Sequence, residues 1–117
     1  MALVIGEENT REILVELVQP LKGGKTKTHH VLAEFEVMDT ATWRELLSSQ
    51  QPVIEVALAS LVALPMTDTS GQDVALTDDT KALLLNTRWI HAGLIDGFMA
   101  VQSGISSEAY KKAKLKN

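Results

Sequence analysis

Two runs of alternating apolar and polar residues flank Gly23-Gly24, and the numbering of their apolar members restricts how the chain can pair with itself. Ile13, Val15 and Leu17 alternate with Glu12, Leu14 and Glu16. Beyond the glycines, Val31, Ala33, Phe35 and Val37 alternate with His30, Glu34 and Glu36. A period of two marks half-buried strands. Both apolar rows fall on odd numbers, and a one-residue slip turns a whole row to the other face. A two-residue turn at Gly23-Gly24 would set Leu17 against His30 and put the rows on opposite faces. The sequence therefore predicts a loop of three or more residues centred on Gly24. It pairs Leu17 with Val31, Val15 with Ala33 and Ile13 with Phe35.

The letters Gly23-Gly24-Lys25-Thr26 also end a phosphate-binding loop, but such a loop needs an earlier glycine and a helix directly after it. The glycine position is taken by Gln19, and the strand period follows Thr26. The spacing favours a hairpin tip over a nucleotide site.

At 117 residues the chain is expected to form one domain over residues 1–110, with a basic, frayed tail at 111–117. It has no cysteine, which excludes disulfides and thiolate chemistry. Lys111, Lys112, Lys114 and Lys116 crowd the C-terminus, leaving a strongly acidic body that repels nucleic acid phosphates. The start of the chain does not read as a signal peptide, because Leu3-Val4-Ile5 is cut short by Gly6-Glu7-Glu8. The longest apolar-rich run, residues 52–64, contains Glu55 and is well short of the roughly 20 residues a membrane span requires. The expectation is a cytoplasmic protein with neither nucleic acid nor membrane as partner.

After Val37 the period changes. Asp39 or Thr40 can cap a helix carrying Trp43, Leu46 and Leu47 on one face, and Thr42 with Glu45 has capping-box spacing. Pro52 suits the first turn of the next segment, where Val53, Ile54, Val56, Ala57, Leu58, Leu61 and Val62 are apolar nearly all round. Its length favours helix, and its valine and isoleucine content leaves a buried strand open. Such a segment belongs in the centre of the fold or in an interface. Together with the hairpin edge it offers more apolar surface than a small monomer covers, so a homo-oligomer is expected. Val53, Ile54, Leu58 and Leu61 are the candidate partner or self-association surface. A polar loop with a turn at Ser70-Gly71 follows Pro65. Thr77 then caps a helix with Asp78 and Asp79 in its first turn. Thr87 opens the last long helix, in which Ile90, Leu94, Phe98 and Val101 recur on one face. Gly93 and Gly97 lie beside that stripe. Each costs about 1 kcal/mol in a helix interior, so the pair predicts very close packing on another element. Gly104 reads as the C-cap, with a short terminal helix from Ser106 or Ser107. The fold class is α+β: an N-terminal hairpin followed by a small bundle of about four helices.

No catalytic constellation emerges. His29 and His30 are adjacent on a strand and face opposite ways, and His91 has no ligand partner at helical spacing. Asp68 and Asp73 do not fit a calcium loop, since Gly71 is fourth from Asp68 where a sixth-position glycine is required. Glu34 and Glu36 read as solvating charges on the outer face of a strand. The expectation is a non-enzyme with no cofactor and no metal.

The ordered set resembles the tail assembly chaperones of long-tailed bacteriophages. The features that carry the resemblance are the hairpin, Thr42-Trp43-Arg44-Glu45-Leu46-Leu47, the loop from Thr69-Ser70-Gly71 to Thr77, and Trp89-Ile90-His91-Ala92-Gly93-Leu94 running on to Phe98. The close at Lys114-Leu115-Lys116-Asn117 adds to it. The resemblance implies a prophage-encoded protein of the host cytoplasm that binds the hydrophobic tape-measure protein and helps tail-tube protein polymerise around it, and that is absent from the finished virion. It also implies a longer, frameshifted form, for which Lys111-Lys112 is a candidate slip site. The alternative is a structural minor tail or neck protein that stays in the particle. A helix-turn-helix regulator would need a basic recognition face, and residues 77–103 carry only Lys81 and Arg88 as cations.

Overall fold

The hairpin tip sets the register of everything that follows. In the computed structural model, which describes residues 9–104, β1 (Thr10–Pro20) pairs antiparallel with β2 (Thr26–Glu36). The tip is a 3-10 turn, Lys22–Gly24, closed by a hydrogen bond from the Leu21 N–H to the Lys25 carbonyl at 2.8 Å. Gly23 and Gly24 both take positive φ, 75° and 73°. The loop is odd, as the parity of the apolar rows requires, but it is centred on Gly23. Val15 therefore faces Val31, Ile13 faces Ala33 and Leu17 faces His29, a two-residue slip from the expected pairs. The cause is local. Three-residue hairpin loops end in a left-handed residue. Centring on Gly24 would force Lys25 into that conformation, whereas centring on Gly23 gives the position to Gly24. An even slip leaves the faces unchanged, and Ile13, Val15, Leu17, Ala33 and Phe35 are all buried.

Asp39 caps α1 (Thr40–Ser48) by accepting from the Thr42 N–H at 2.7 Å. This helix buries no residue fully; Trp43 and Leu46 rest against the core, while Leu47 is 65% exposed rather than on the inner face. The next apolar segment is both helix and strand. The helix α2 (Val53–Ser60) gives way at Leu61 to β3 (Leu61–Ala63), which adds to β2 as the third strand of the sheet. The β-branched content that left a strand open in the sequence is used at its end.

Thr77 caps α3 (Asp78–Leu85) through the Thr80 N–H at 3.2 Å. Thr87 does not open the last helix. Its hydroxyl donates back to the Leu83 carbonyl at 2.8 Å, and a 3-10 turn, Arg88–Ile90, leads into α4 (His91–Gln102). The terminal helix expected from Ser106 or Ser107, the basic tail at 111–117 and the candidate slip site lie outside the described residues.

The α4 helix lies on the inner face of the sheet. The Ile90-Leu94-Phe98-Val101 stripe, which starts in the 3-10 turn and continues along α4, is buried, and Phe98 meets Phe35 edge-on at 6.0 Å and Trp43 at 6.3 Å. That one ring joins helix, sheet and α1. At the C-terminal end, the Gln102 side chain bonds backbone twice: its Oε1 accepts from the Met38 N–H and its Nε2 donates to the Glu36 carbonyl, both at 2.8 Å. The amide takes the place of a neighbouring strand where β2 runs out. Gly93 and Gly97 face β1 so closely that an added Cβ would lie 2.2 Å from the Glu16 carbonyl oxygen and 2.4 Å from a Val15 methyl.

Gly93→Ala should therefore destabilise by about 1–3 kcal/mol, the usual range for overpacking. This opposes the gain of about 1 kcal/mol that alanine brings to a helix interior. Gly97→Ala should cost less, because its obstacle is a side-chain methyl rather than backbone. Urea unfolding of both variants checks the order, and a stabilised Gly93→Ala would contradict the packing.

Candidate docking face on the sheet

Residues at even positions of β1 and β2 point away from α4, so the strand period alone composes the outer face. It carries Glu12, Leu14, Glu16 and Val18 on β1, and His30, Leu32, Glu34 and Glu36 on β2. No lysine or arginine occupies an outward position of either strand. Register decides which of these side chains meet. Leu14 lies opposite Leu32, Glu16 opposite His30, and Glu12 directly opposite Glu34. Like charges facing each other across a strand pair are destabilising. Glu34 gains partial relief from the Thr10 hydroxyl, which donates to its carboxylate at 2.5 Å.

Beyond β2, Val62 of β3 continues the face. Leu32 and Val62 are each 44% exposed, and they line an open groove of about 520 Å³ together with Glu12, Glu34, Pro65 and Leu76. Pro65 and Leu76 come from the two ends of the 64–77 segment, which folds back on itself. Thr67 bridges to Asp73, and the Val74 N–H reaches the Met66 carbonyl at 3.0 Å. The turn inside is held by Asp68, whose Oδ1 accepts from the Ser70 hydroxyl at 2.6 Å, the Ser70 N–H at 2.9 Å and the Gln72 N–H at 3.1 Å. Gly71 closes it at φ 84°. What reads in sequence as a loose polar loop is an aspartate-centred turn that fixes one wall of the groove.

The four residues expected to form a partner surface separate. Leu58 and Leu61 are 4% and 2% exposed and belong to the core; Ile54 is half-buried against it, and Val53 remains at the surface. Folding within one chain covers most of the apolar area that suggested an interface.

The histidines are placed by packing. His29 and His30 face opposite sides, with the His29 Nε2 2.9 Å from the Gln19 amide oxygen and its ring 5.8 Å from Trp89. The His91 Nε2 lies 2.9 Å from the Leu85 carbonyl, which can only accept. A second cavity of about 350 Å³ lies beside His29 and Trp89, walled by Val31, Met66 and Leu84. Among the described residues no group of three or more His, Asp and Glu could hold a metal ion, and no helix is long and apolar enough to cross a membrane.

Compared with protein families, curated proteins and solved structures, the chain finds no match. The functional reading accordingly rests on the residues themselves.

The Asp68 carboxyl is held below the ordinary carboxylate range, first by the Ser70 hydroxyl and next by the Gln72 N–H. A depressed folded pKa contributes stability above the unfolded value of about 3.9 and loses it as pH falls through the lower folded value. The Ser70 and Gln72 amides should therefore exchange faster with solvent as pH drops below about 4, after correction for intrinsic rates. In Asp68→Asn that pH dependence should vanish. Unchanged dependence in the variant would assign the transition to another group.

Proposed function

We propose that this chain is a non-catalytic assembly chaperone of the kind found in long-tailed phages, holding a segment of the tape-measure protein in the host cytoplasm while tail-tube protein assembles. The observation that carries the reading is the sheet's outer face, which keeps Leu32 and Val62 exposed beside an open groove. Aliphatic side chains exposed in a groove and rimmed by polar residues are a feature of partner-binding sites. The ordered motifs of the sequence support the same reading: the hairpin, the capped α1, the aspartate-centred turn and the glycine-bearing α4 succeed one another as in that family. Opposite this face the sheet is filled by α4, so a partner that docks there leaves the core intact.

Co-expression with a tape-measure protein of a long-tailed phage should give a complex that survives purification, and mass spectrometry of finished virions should find the chain missing. A chain present in the particles at fixed copy number would make it a structural tail or neck component instead. Replacing Leu32 and Val62 together with serine should abolish co-purification while lowering the thermal midpoint far less than a core substitution such as Phe98→Ala, because each side chain is 44% exposed and Phe98 is fully buried.

A further inference from the structure

We infer that the segment accepted by the outer face is a cationic amphipathic helix, whose aliphatic stripe covers Leu32 and Val62 and whose lysines or arginines answer Glu12 and Glu34. The inference deepens the binding reading above and rests on it. Shape argues for a helix. An extended peptide joins a sheet at its edge, through backbone hydrogen bonds. A single segment that covers the face of a sheet, as α4 covers the inner one, does so as a helix with one apolar stripe.

Charge argues for the sign. Glu12, Glu16, Glu34 and Glu36 occupy outward positions of the two long strands with no lysine or arginine among them. Glu12 and Glu34 are cross-strand partners, and both line the groove beside Leu32 and Val62. Two carboxylates held opposite each other repel in the free protein. A cation placed between them turns that repulsion into attraction, and more strongly as the docked helix excludes water. An acidic or neutral helix would leave the repulsion in place.

The test uses the full chain and three labelled peptides of equal length and helicity. One has a leucine stripe flanked by lysines, the second has the same stripe flanked by glutamates, and the third has the lysine composition with the stripe scrambled. Fluorescence anisotropy at low salt should show the first binding roughly tenfold or more tighter than either other peptide. Raising salt from about 0.01 to 0.15 M shortens the screening length from about 30 to 8 Å and should shrink that advantage. The Glu12→Lys/Glu34→Lys protein should reverse the preference toward the glutamate peptide, whereas Glu45→Lys on α1 should leave it unchanged. The milder Glu12→Gln change should raise or preserve the thermal midpoint, since it removes a repulsion; a lowered midpoint would overturn the premise. Equal binding of the stripe and scrambled peptides, or a preference indifferent to Glu12 and Glu34, would overturn the inference. A tape-measure complex insensitive to those reversals would sink this inference and leave the chaperone reading standing. Capture of the lysine peptide without capture of the tape measure would do the opposite.

Discussion

The approach of α4 to β1 governs the arrangement of the molecule. Two glycines one helical turn apart let the helix backbone settle against Glu16 and Val15 at a distance no side chain allows. The contact carries an intrinsic cost, since glycine is a poor helix former. What offsets it is the burial that follows: at this separation Leu94 and Phe98 reach full burial and Phe98 meets both Phe35 and Trp43. Because the helix commits to one face of the sheet, the other face is defined by default. The strand period then decides its composition residue by residue.

That composition departs from a purely solvating surface. Leu14 and Leu32 interrupt rows of glutamates and meet across the strands, and the register that the tip sets brings Glu12 and Glu34 opposite each other. A hairpin turn centred one residue later would have shifted the pairing by two, giving Glu12 to Glu36 and Glu34 to Leu14. The glycine pair at the tip therefore has a consequence about 26 Å of strand away, at about 3.3 Å per residue: it determines which outward side chains share the groove, while the inward row would be buried in either register.

Much of this was readable in the sequence. The odd-numbered apolar rows specified the hairpin and its parity, Thr77 announced its helix, and Gly93 with Gly97 announced a close contact. For the first helix the sequence left Asp39 and Thr40 open as caps, and Asp39 takes the role, with Thr42 inside the helix rather than at the cap of a capping box. The exact register was not readable, because two centres of the same parity bury the same residues and differ only in the conformation asked of Lys25. The junction of α2 with β3 was likewise hidden, since a continuous apolar run has no period to show where helix becomes strand. The expected partner surface at Val53, Ile54, Leu58 and Leu61 divided for a related reason: an all-round apolar segment suits a core as well as an interface. The signal for the outer face was present in Leu14 and Leu32, each an aliphatic residue in a polar row. Which of their neighbours met depended on the register, as did the placing of Glu12 against Glu34. The Gln102 clamp joins residues more than sixty apart, a contact no local pattern encodes.

With α4 packed on one side of the sheet, the other side is free to receive a partner. Methyl NMR of the full chain, titrated with a fragment of the tape-measure protein, addresses it most directly. Large shifts are expected for the methyls of Leu32 and Val62, with those of Leu94 and Val101 unmoved. Shifts confined to the exposed leucines of the helices, Leu47 and Leu83, with Leu32 and Val62 unchanged, would contradict it.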